Sequence, residues 1–380
     1  MIPFNKPHLT GKETHYIYEA VNSLKLSGNG DFTKKCQRFF EEKYGFRKCL
    51  LTSSCTDALE MAAILADIEP GDEVIVPSYT FVSTANAFVL RGAKIVFSDS
   101  HKQQPNLDET SLESLITPKT KVIVVVHYAG AACNMEVIMR IANKYNILVV
   151  EDAAQAIDSY FNFSNGEIKA LGSIGHLAAF SFHETKNIIS GEGGMLVIND
   201  EKYVSRAEII WEKGTNRSAF WRGEVDKYGW MDVGSSFLPS EITAAFLWAQ
   251  LEELQNIQNR RKAIWQQYFN AFGELQANNK LKLPTIPEYG CNNAHMFYLV
   301  THNITERDEL IAHLKADGIH AVFHYISLHK SPFIIESGYE MVELPMAEVY
   351  TETLLRLPLY YDLSNNDVDA ICKSVLNFYN

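Results

Sequence analysis

The fold of this chain is decided by the run Ile147-Leu148-Val149-Val150-Glu151-Asp152-Ala153-Ala154-Gln155, an apolar strand pattern that ends in an acid. A second run, Ala178–Phe182, is followed shortly by Lys186 and then by a glycine cluster at 191–194. Burying a charged side chain is costly unless it is paired. An acid and an amine that each follow a buried strand therefore point to a functional site. The alternatives are a structural salt bridge or helix cap for Asp152 and a solvated surface position for Lys186.

Between about residues 50 and 200, short apolar runs alternate with segments that have helical apolar spacing, such as 58–65 and 137–145. Uninterrupted apolar strands separated by helices predict an α/β fold with a mostly parallel sheet covered on both faces. Such sheets bind ligands beyond the carboxyl ends of their strands. We therefore expect Asp152 and Lys186 to face one crevice. The predicted strands are Val74–Pro77, Lys94–Ser98, Val122–Val126, Ile147–Val150, Ala178–Phe182 and Met195–Ile198.

The C-terminal third has a different pattern. Residues 241 to about 272 predict one continuous helix that leads out of the large domain. The remainder mixes strands, such as Met296–Thr301, with helices, such as Arg307–Ala316. We therefore predict a large α/β domain over residues 1–250, with residues 1–15 as an N-terminal arm, and a smaller α+β domain over residues 251–380.

Composition excludes several classes of protein. The 380 residues carry a net charge of −12 without a long basic run, so no nucleic-acid partner is expected. Six cysteines without a C-x-x-C pair indicate reduced thiols. Twelve histidines without H-x-x-H spacing give no reason to expect a metal site. Neither a signal-peptide pattern nor an apolar run of about 18 residues is present, so we expect a cytoplasmic protein without a membrane span.

Two further motifs follow predicted strands. The run Thr52-Ser53-Ser54-Cys55-Thr56-Asp57-Ala58-Leu59 opens a helix, and it is either an ordinary N-cap or a phosphate cradle. Phe81 follows the strand at 74–77 and is either a core aromatic or a platform for a planar ring. A lysine that can form a Schiff base, an acid for a ring nitrogen, a phosphate turn and a stacking aromatic are together the requirements of pyridoxal phosphate.

The sequence resembles the DegT/DnrJ/EryC1/StrS sugar aminotransferases, and the likeness extends over almost the whole chain. This resemblance implies the aspartate-aminotransferase-like fold type I of pyridoxal phosphate enzymes. The motifs that carry it are Ser54–Leu59, Pro70–Pro77, Thr80–Asn86, Val126–Gly130, Glu151–Gln155, Ser181–Asn187 and Gly191–Gly194.

The resemblance also implies roles for single residues. Lys186 would be the Schiff-base lysine and proton shuttle, and Asp152 would pair with the pyridine nitrogen. Gln155 would lie near the ring's 3-hydroxyl, and Phe81 would stack on the ring. The cofactor phosphate would be held by Thr56, Asp57 and Ser181.

A homodimer is implied as well, because members of the family complete the phosphate site from the neighbouring subunit. Family members commonly place an asparagine there, in a Gly-x-Asn segment. In this chain the corresponding stretch is Gly234-Ser235-Ser236, so Ser236 of the partner subunit would take that place. The dehydratase branch of the family has histidine in place of the Schiff-base lysine, and Lys186 therefore favours amino transfer.

Three stretches, 212–218, 295–298 and 322–325, resemble the enterobacterial dTDP-4-oxo-6-deoxyglucose 4-aminotransferases. This narrower likeness implies L-glutamate as the donor, C4 of dTDP-4-oxo-6-deoxy-D-glucose as the acceptor, and a role in O-antigen or enterobacterial common antigen synthesis. Other readings are C3 amination of a dTDP-3-oxo sugar, amination of a UDP-oxo sugar, or a non-catalytic regulatory protein with the same fold. The C4 configuration of the product stays open. The candidate contacts are Arg217, Arg222 and Lys227 for the diphosphate, and His324 and Tyr325 for the sugar.

Overall fold

The structure, a computed structural model, describes all 380 residues. It contains twelve strands, which we number in chain order. They are β1 (Lys48–Thr52), β2 (Glu73–Pro77), β3 (Lys94–Ser98), β4 (Thr120–Val126), β5 (Leu148–Asp152), β6 (Tyr160–Asn162), β7 (Ile168–Ala170), β8 (Leu177–Ser181), β9 (Gly194–Ile198), β10 (Phe297–Val300), β11 (Val322–Phe323) and β12 (Leu354–Leu357).

Fourteen α-helices surround these strands, and none of them is long and apolar enough to cross a membrane. They are α1 (Glu13–Asn22), α2 (Asp31–Tyr44), α3 (Cys55–Leu65), α4 (Ser83–Val89), α5 (Met135–Tyr145), α6 (Val204–Trp211), α7 (Arg217–Trp221), α8 (Glu241–Glu252), α9 (Leu254–Ala271), α10 (Gly273–Ala277), α11 (Ile304–Ala316), α12 (Pro332–Glu336), α13 (Pro345–Thr353) and α14 (Asn365–Tyr379).

Seven strands form the central sheet in the order β1-β9-β8-β5-β4-β2-β3. Strands β8, β5, β4, β2 and β3 pair in parallel, and β9 runs antiparallel to both of its neighbours, β1 and β8. The predicted mostly parallel α/β sheet is confirmed. The observed strand ends differ from the predicted ones by at most two residues.

Both faces of the sheet are covered, as its unbroken apolar strands require. In β4, Ile123 and Val125 point into one core, and Val122 and Val124 point into the other. Helices α2, α5 and α8 contribute to the first core, and α3, α4 and α6 contribute to the second. Because successive side chains of a strand point to opposite faces, each apolar strand contributes to both cores.

The C-terminal part contains a three-stranded antiparallel sheet in the order β10-β12-β11. Phe297 and Leu299 on β10 point into a third core, whereas Tyr298 and Val300 pack onto the second core. The expected continuous helix over 241–272 is wrong, because the backbone leaves helical geometry at Glu253 between α8 and α9. The division of the chain at residue 250 stays a prediction.

The first residues reach across to the C-terminal part. The backbone of Ile2 pairs with Gly318 and His320, and the Asn5 side chain donates to the carbonyl of Glu184. Helix α1 begins at Glu13, inside the segment predicted as an arm. These contacts place residues 4 and 5 beside the loop that carries Lys186.

That loop, residues 182–193, joins the antiparallel strands β8 and β9. Backbone hydrogen bonds from Phe182 to Gly193 (2.8 Å) and from Glu184 to Gly191 (2.9 Å) close its base. Gly194 then lies so near the start of α3 that a Cβ atom there would be 2.4 Å from the backbone of Ser54 and Cys55. Glycine at this position lets the helix N-terminus approach the sheet closely.

We expect Gly194→Ala to lower the free energy of unfolding by about 1–3 kcal/mol, because the clash is with backbone atoms that cannot rotate away. Gly273→Ala is the matched control, since a Cβ atom there meets nothing within 4 Å. Its stability should stay within about 0.5 kcal/mol of the wild type. Urea unfolding measures both, and equal stability of the two variants would contradict this account.

Candidate active site

One pocket of about 500 Å³ opens at the carboxyl ends of the parallel strands. Val126, Asp152 and Ser181 are the last residues of β4, β5 and β8, and all three line it. The pocket brings together most of the residues predicted from the sequence. These are Thr56, Phe81, Asp152, Gln155, Ser181, Lys186, His324 and Tyr325.

Asp152 is a buried carboxylate with two hydrogen-bond donors. The Thr84 hydroxyl donates to one oxygen at 2.7 Å, and the backbone N–H of Ala154 donates to the other at 3.2 Å. Burial raises the pKa of Asp152, and the bond from Thr84 opposes that rise. A cationic group in the pocket would offset the remaining cost of burial.

Lys186 lies on the loop between β8 and β9 and contributes its amine to the same pocket. Burial lowers the pKa of this amine, Cys55 and Asp152 raise it, and the Arg356 guanidinium lowers it further. The next residue, Asn187, donates to Gln258 (2.8 Å) and to the carbonyl of Asn293 (2.9 Å). The loop is thereby anchored, and the amine is biased towards its neutral, nucleophilic form.

The start of α3 fits a phosphate group. Ser54 is the N-cap and accepts from the N–H of Asp57 at 3.0 Å, while the N–H groups of Cys55 and Thr56 have no partner in the chain. The Thr56 hydroxyl lies 2.8 Å from the Ser83 hydroxyl, and both line the pocket. Free N–H groups at the positive end of a helix, flanked by hydroxyls, suit an anion. Capping and anion binding therefore share one turn.

Gln155, Tyr325 and His324 are further polar residues of the same pocket. The carbonyl oxygen of Gln155 accepts from the N–H of Ala129 at 2.6 Å, and its amide donates to the Tyr325 hydroxyl at 3.1 Å. The Tyr128 hydroxyl lies 2.7 Å from Nδ1 of His324. Tyr325 has a φ of +59°, a left-handed conformation that is rare for an aromatic residue and is typical of functional sites.

Phe81 lies in the segment that follows β2, as the sequence predicted, and 57% of its surface is exposed. Its ring centroid lies 6.2 Å from that of Tyr325. Its position at the pocket lip excludes the core-aromatic alternative. The ring is therefore free to cover a planar ligand.

Five predicted residues lie outside the pocket lining. Asp57 is in the first turn of α3, where its N–H is engaged by Ser54. Arg222 pairs with Glu208 (2.8 Å) and Glu224 (2.7 Å), so its guanidinium is already neutralised. The remaining three, Arg217, Lys227 and Ser236, are exposed on the segment between α6 and α8.

Sequence reasoning missed several residues of the site. Thr84 was missed because a threonine in a helix gives no sign that it donates to a buried acid. Phe4 and Asn5 were missed because they reach the pocket through long-range contacts, the pairing of Ile2 with Ile319 and the bond from Asn5 to Glu184. Arg356 had a usable signal, since it interrupts the apolar run 354–359.

Known proteins that are similar to this chain agree with the function that this geometry suggests. A model of the DegT/DnrJ/EryC1/StrS aminotransferase family matches residues 7–376. The spore coat polysaccharide biosynthesis protein SpsC of Bacillus subtilis is 32% identical, over 98% of this chain and 96% of that protein. GDP-perosamine synthase of Escherichia coli O157:H7 is also 32% identical, over 100% and 98% of the two chains.

Two solved structures have the same fold. The aminotransferase TlmJ from Streptoalloteichus hindustanus has a TM-score of 0.90 and 27% identity, covering 100% of this chain and 99% of its own. A sugar aminotransferase described as putative, Spr1654 from Streptococcus pneumoniae in its PMP form, has a TM-score of 0.90 and 25% identity, with the same coverage.

The sheet, the pocket and these likenesses define a pyridoxal phosphate-dependent aminotransferase that acts on a sugar, with an amino donor as second substrate. The chain belongs to the DegT/DnrJ/EryC1/StrS aminotransferase family. The fold class, the cofactor and the enzyme class expected from the sequence are confirmed.

The lowered pKa of Lys186 gives a testable pH dependence. In the apoenzyme, the amine should lose its proton below the ordinary lysine value of 10.5. Incorporation of added pyridoxal phosphate, followed by its visible absorbance, should therefore rise with pH and reach half of its maximal rate below that value. Asp152→Asn removes a group that raises this pKa, so the midpoint should move lower still.

Lys186→Ala should incorporate no cofactor covalently at any pH. Lys144→Ala, which changes an exposed lysine on α5, should behave as the wild type does. A midpoint at or above 10.5, or a rise of the midpoint in Asp152→Asn, would contradict the electrostatic account.

Proposed function

We propose that this enzyme transfers the amino group of L-glutamate to C4 of dTDP-4-oxo-6-deoxy-D-glucose, giving a dTDP-4-amino-4,6-dideoxyhexose for O-antigen or enterobacterial common antigen synthesis. The observation that carries amino transfer is the convergence of Lys186 and Asp152 in one pocket. The choice of sugar nucleotide rests on the likeness of the stretches 212–218, 295–298 and 322–325 to the enterobacterial enzymes. A GDP sugar is the second candidate, because two of the relatives are named GDP-perosamine synthase.

Different residues of the pocket would bind different parts of pyridoxal phosphate. Pyridoxal phosphate, when bound, supplies an aldehyde that carries the amino group and a ring that withdraws electrons from the reacting carbon. Asp152 would hold a proton on the ring nitrogen, and Gln155 would lie beside the ring's 3-hydroxyl. Thr56, the free N–H groups of α3 and Ser181 would hold the phosphate. Phe81 would cover the face of the ring.

Lys186 would act as base and acid. Its amine would hold the cofactor's aldehyde at rest, and once displaced by substrate it would move a proton to and from the reacting carbon. A lysine of ordinary pKa would be a poor base near neutral pH. Its lowered pKa suits this task.

His324 and Tyr325 would contact the sugar. Burial lowers the pKa of His324 well below its usual range, so the imidazole is neutral near pH 7 and can accept or donate a hydrogen bond. Burial likewise raises the pKa of Tyr325, which keeps its hydroxyl protonated. Neutral hydrogen-bonding groups suit the hydroxyls and carbonyl of a sugar.

A homodimer is part of this proposal. The segment between α6 and α8 exposes a group of large apolar side chains, and its Trp230 is 84% exposed. Such a patch is typical of a protein–protein interface. Burial of this patch against a second copy would bring Ser236 of the partner subunit to the phosphate site. The exposed members are Trp221, Tyr228, Trp230, Met231 and Val233.

With L-glutamate as donor, we expect kcat/KM for dTDP-4-oxo-6-deoxyglucose to exceed that for the matching GDP and UDP sugars by at least about tenfold. Product NMR should show nitrogen at C4 and will read the C4 configuration. A preference for the GDP sugar, amination at C3, or no turnover with any of the three would each contradict the assignment. No turnover would favour a non-catalytic protein.

We expect Trp230→Asp to shift the protein from dimer to monomer in analytical ultracentrifugation, because a charge at the centre of the patch opposes burial. Retention of pyridoxal phosphate through gel filtration should fall with it. Ile168→Asp is the control, since Ile168 is an exposed apolar residue on the β6–β7 hairpin. A wild-type monomer, or a dimer unaffected by Trp230→Asp, would contradict the proposal.

A further inference from the structure

His295 is a histidine of the pocket that the proposed mechanism does not use. It lies just before β10, is 7% exposed and lines the same pocket as Lys186. Its backbone N–H donates to the side chain of Asn293 at 3.0 Å, and its carbonyl accepts from Arg261 at 2.7 Å. The backbone that carries the ring is therefore held in place.

The hydrogen bonds of Asn187 determine which ring nitrogen of His295 carries the proton. Asn187 directly follows Lys186, and one end of its side-chain amide lies 2.9 Å from the backbone carbonyl of Asn293. A carbonyl can only accept, so the atom that faces it is the amide nitrogen and the other end is the oxygen Oδ1. This oxygen lies 2.8 Å from Nδ1 of His295. Because Oδ1 can only accept, Nδ1 carries a proton and donates it.

The other ring nitrogen, Nε2, is an acceptor without a partner. Burial lowers the pKa of His295 well below its usual range, so the ring is neutral near pH 7 and has one N–H. That N–H is at Nδ1, so Nε2 keeps its lone pair, and it makes no hydrogen bond with the chain. The same cannot be concluded for His324, because its partner is the hydroxyl of Tyr128, which can donate or accept. A lone pair in a largely buried ring that lines a pocket calls for a donor.

Lys186 has donors of the matching kind. Once substrate displaces it from the cofactor, its amine has two N–H groups besides the lone pair that would take a proton from the reacting carbon. Gln155 already uses its oxygen and its nitrogen in hydrogen bonds with the chain, and Asp152 would meet the ring nitrogen of the cofactor. His295 lines the same pocket and is bonded through Asn187 to the loop that carries the lysine.

We propose that His295 is a positioning residue, which accepts a hydrogen bond from the amine of Lys186 at Nε2 and so directs the lone pair of the amine to the reacting carbon. This inference rests on the proposed role of Lys186 as base and acid. Asn187 takes part because it keeps the proton on Nδ1, since a ring protonated at Nε2 would present a donor where an acceptor is needed. Lys186 would move a proton in both halves of the reaction, so the orientation should matter equally in both.

Nitrogen NMR of the loaded enzyme, labelled at its histidines, tests the tautomer without any reaction. Protonated and unprotonated ring nitrogens give well-separated signals, and those of His295 are identified by their loss in His295→Gln. We expect a protonated Nδ1 and an unprotonated Nε2 near pH 7. A proton on Nε2 would overturn the proposal.

Two substitutions separate the roles of the two ring nitrogens. His295→Asn keeps an N–H donor close to the position of Nδ1, where it can bond to Asn187, and removes the acceptor. His295→Gln extends its amide to the position of Nε2 and restores an acceptor. In single turnovers followed by cofactor absorbance, His295→Asn should lower the rate at saturating substrate about fivefold to tenfold, the effect of one hydrogen bond, both with L-glutamate and with the oxo sugar. His295→Gln should recover part of that rate, and the half-saturating concentrations and cofactor retention should stay within about twofold of the wild type in both variants.

His15→Asn is the matched control, because His15 is an exposed histidine on α1. A loss confined to the oxo sugar would make His295 a sugar contact and overturn the proposal, as would an unchanged rate in His295→Asn. A wild type without either half-reaction would contradict the proposed substrates instead. Covalent capture of pyridoxal phosphate by the apoenzyme, which needs the same amine, would then decide the role of His295. Slower capture by His295→Asn would support that role, and capture at the wild-type rate would overturn it.

Discussion

The buried carboxylate of Asp152 is the constraint on which the rest of the site depends. It ends the strand β5 in the middle of the central sheet and is only 6% exposed, and Thr84 and the N–H of Ala154 satisfy it only in part. A buried carboxylate without a charged partner lowers the stability of the folded protein. Such a group is therefore expected where function requires it. A cofactor with a protonated ring nitrogen resolves the conflict, because it supplies the missing positive charge. The cofactor would therefore supply the ion-pair partner that the protein itself does not give to Asp152.

The reversal of β9 is the second element of this organisation. Because β8 and β9 are antiparallel neighbours, the loop between them returns to the edge of the sheet that it left, and this holds Lys186 over the pocket. Gly194, the first residue of β9, also lets the start of α3 approach the sheet. The lysine loop and the phosphate turn are thus positioned by the same strand.

How much of this was predictable depends on whether the signal is local. The ends of strands and the starts of helices are determined by short stretches of sequence. The sheet, Asp152, Lys186 and the turn at Thr56 were therefore all predicted from the sequence. The break at Glu253 was missed because neither glycine nor proline marks it. Arg222 was proposed as a ligand because composition cannot show that Glu208 and Glu224 already neutralise it. The contribution of Phe4 depends on pairing between residues more than 300 positions apart.

The pocket is less acidic than the chain as a whole. The protein carries a net charge of −12, whereas the pocket lining sets the amine of Lys186 and the guanidinium of Arg356 against two carboxylates, Asp152 and Glu192. Burial lowers the pKa of His295 and of His324, so neither histidine adds charge near neutral pH. Both substrates of an enzyme that moves an amino group between an amino acid and a nucleotide sugar are anionic. Because the cationic side chains of the pocket are matched by its carboxylates, an anionic substrate meets less repulsion there than the net charge of the chain would suggest.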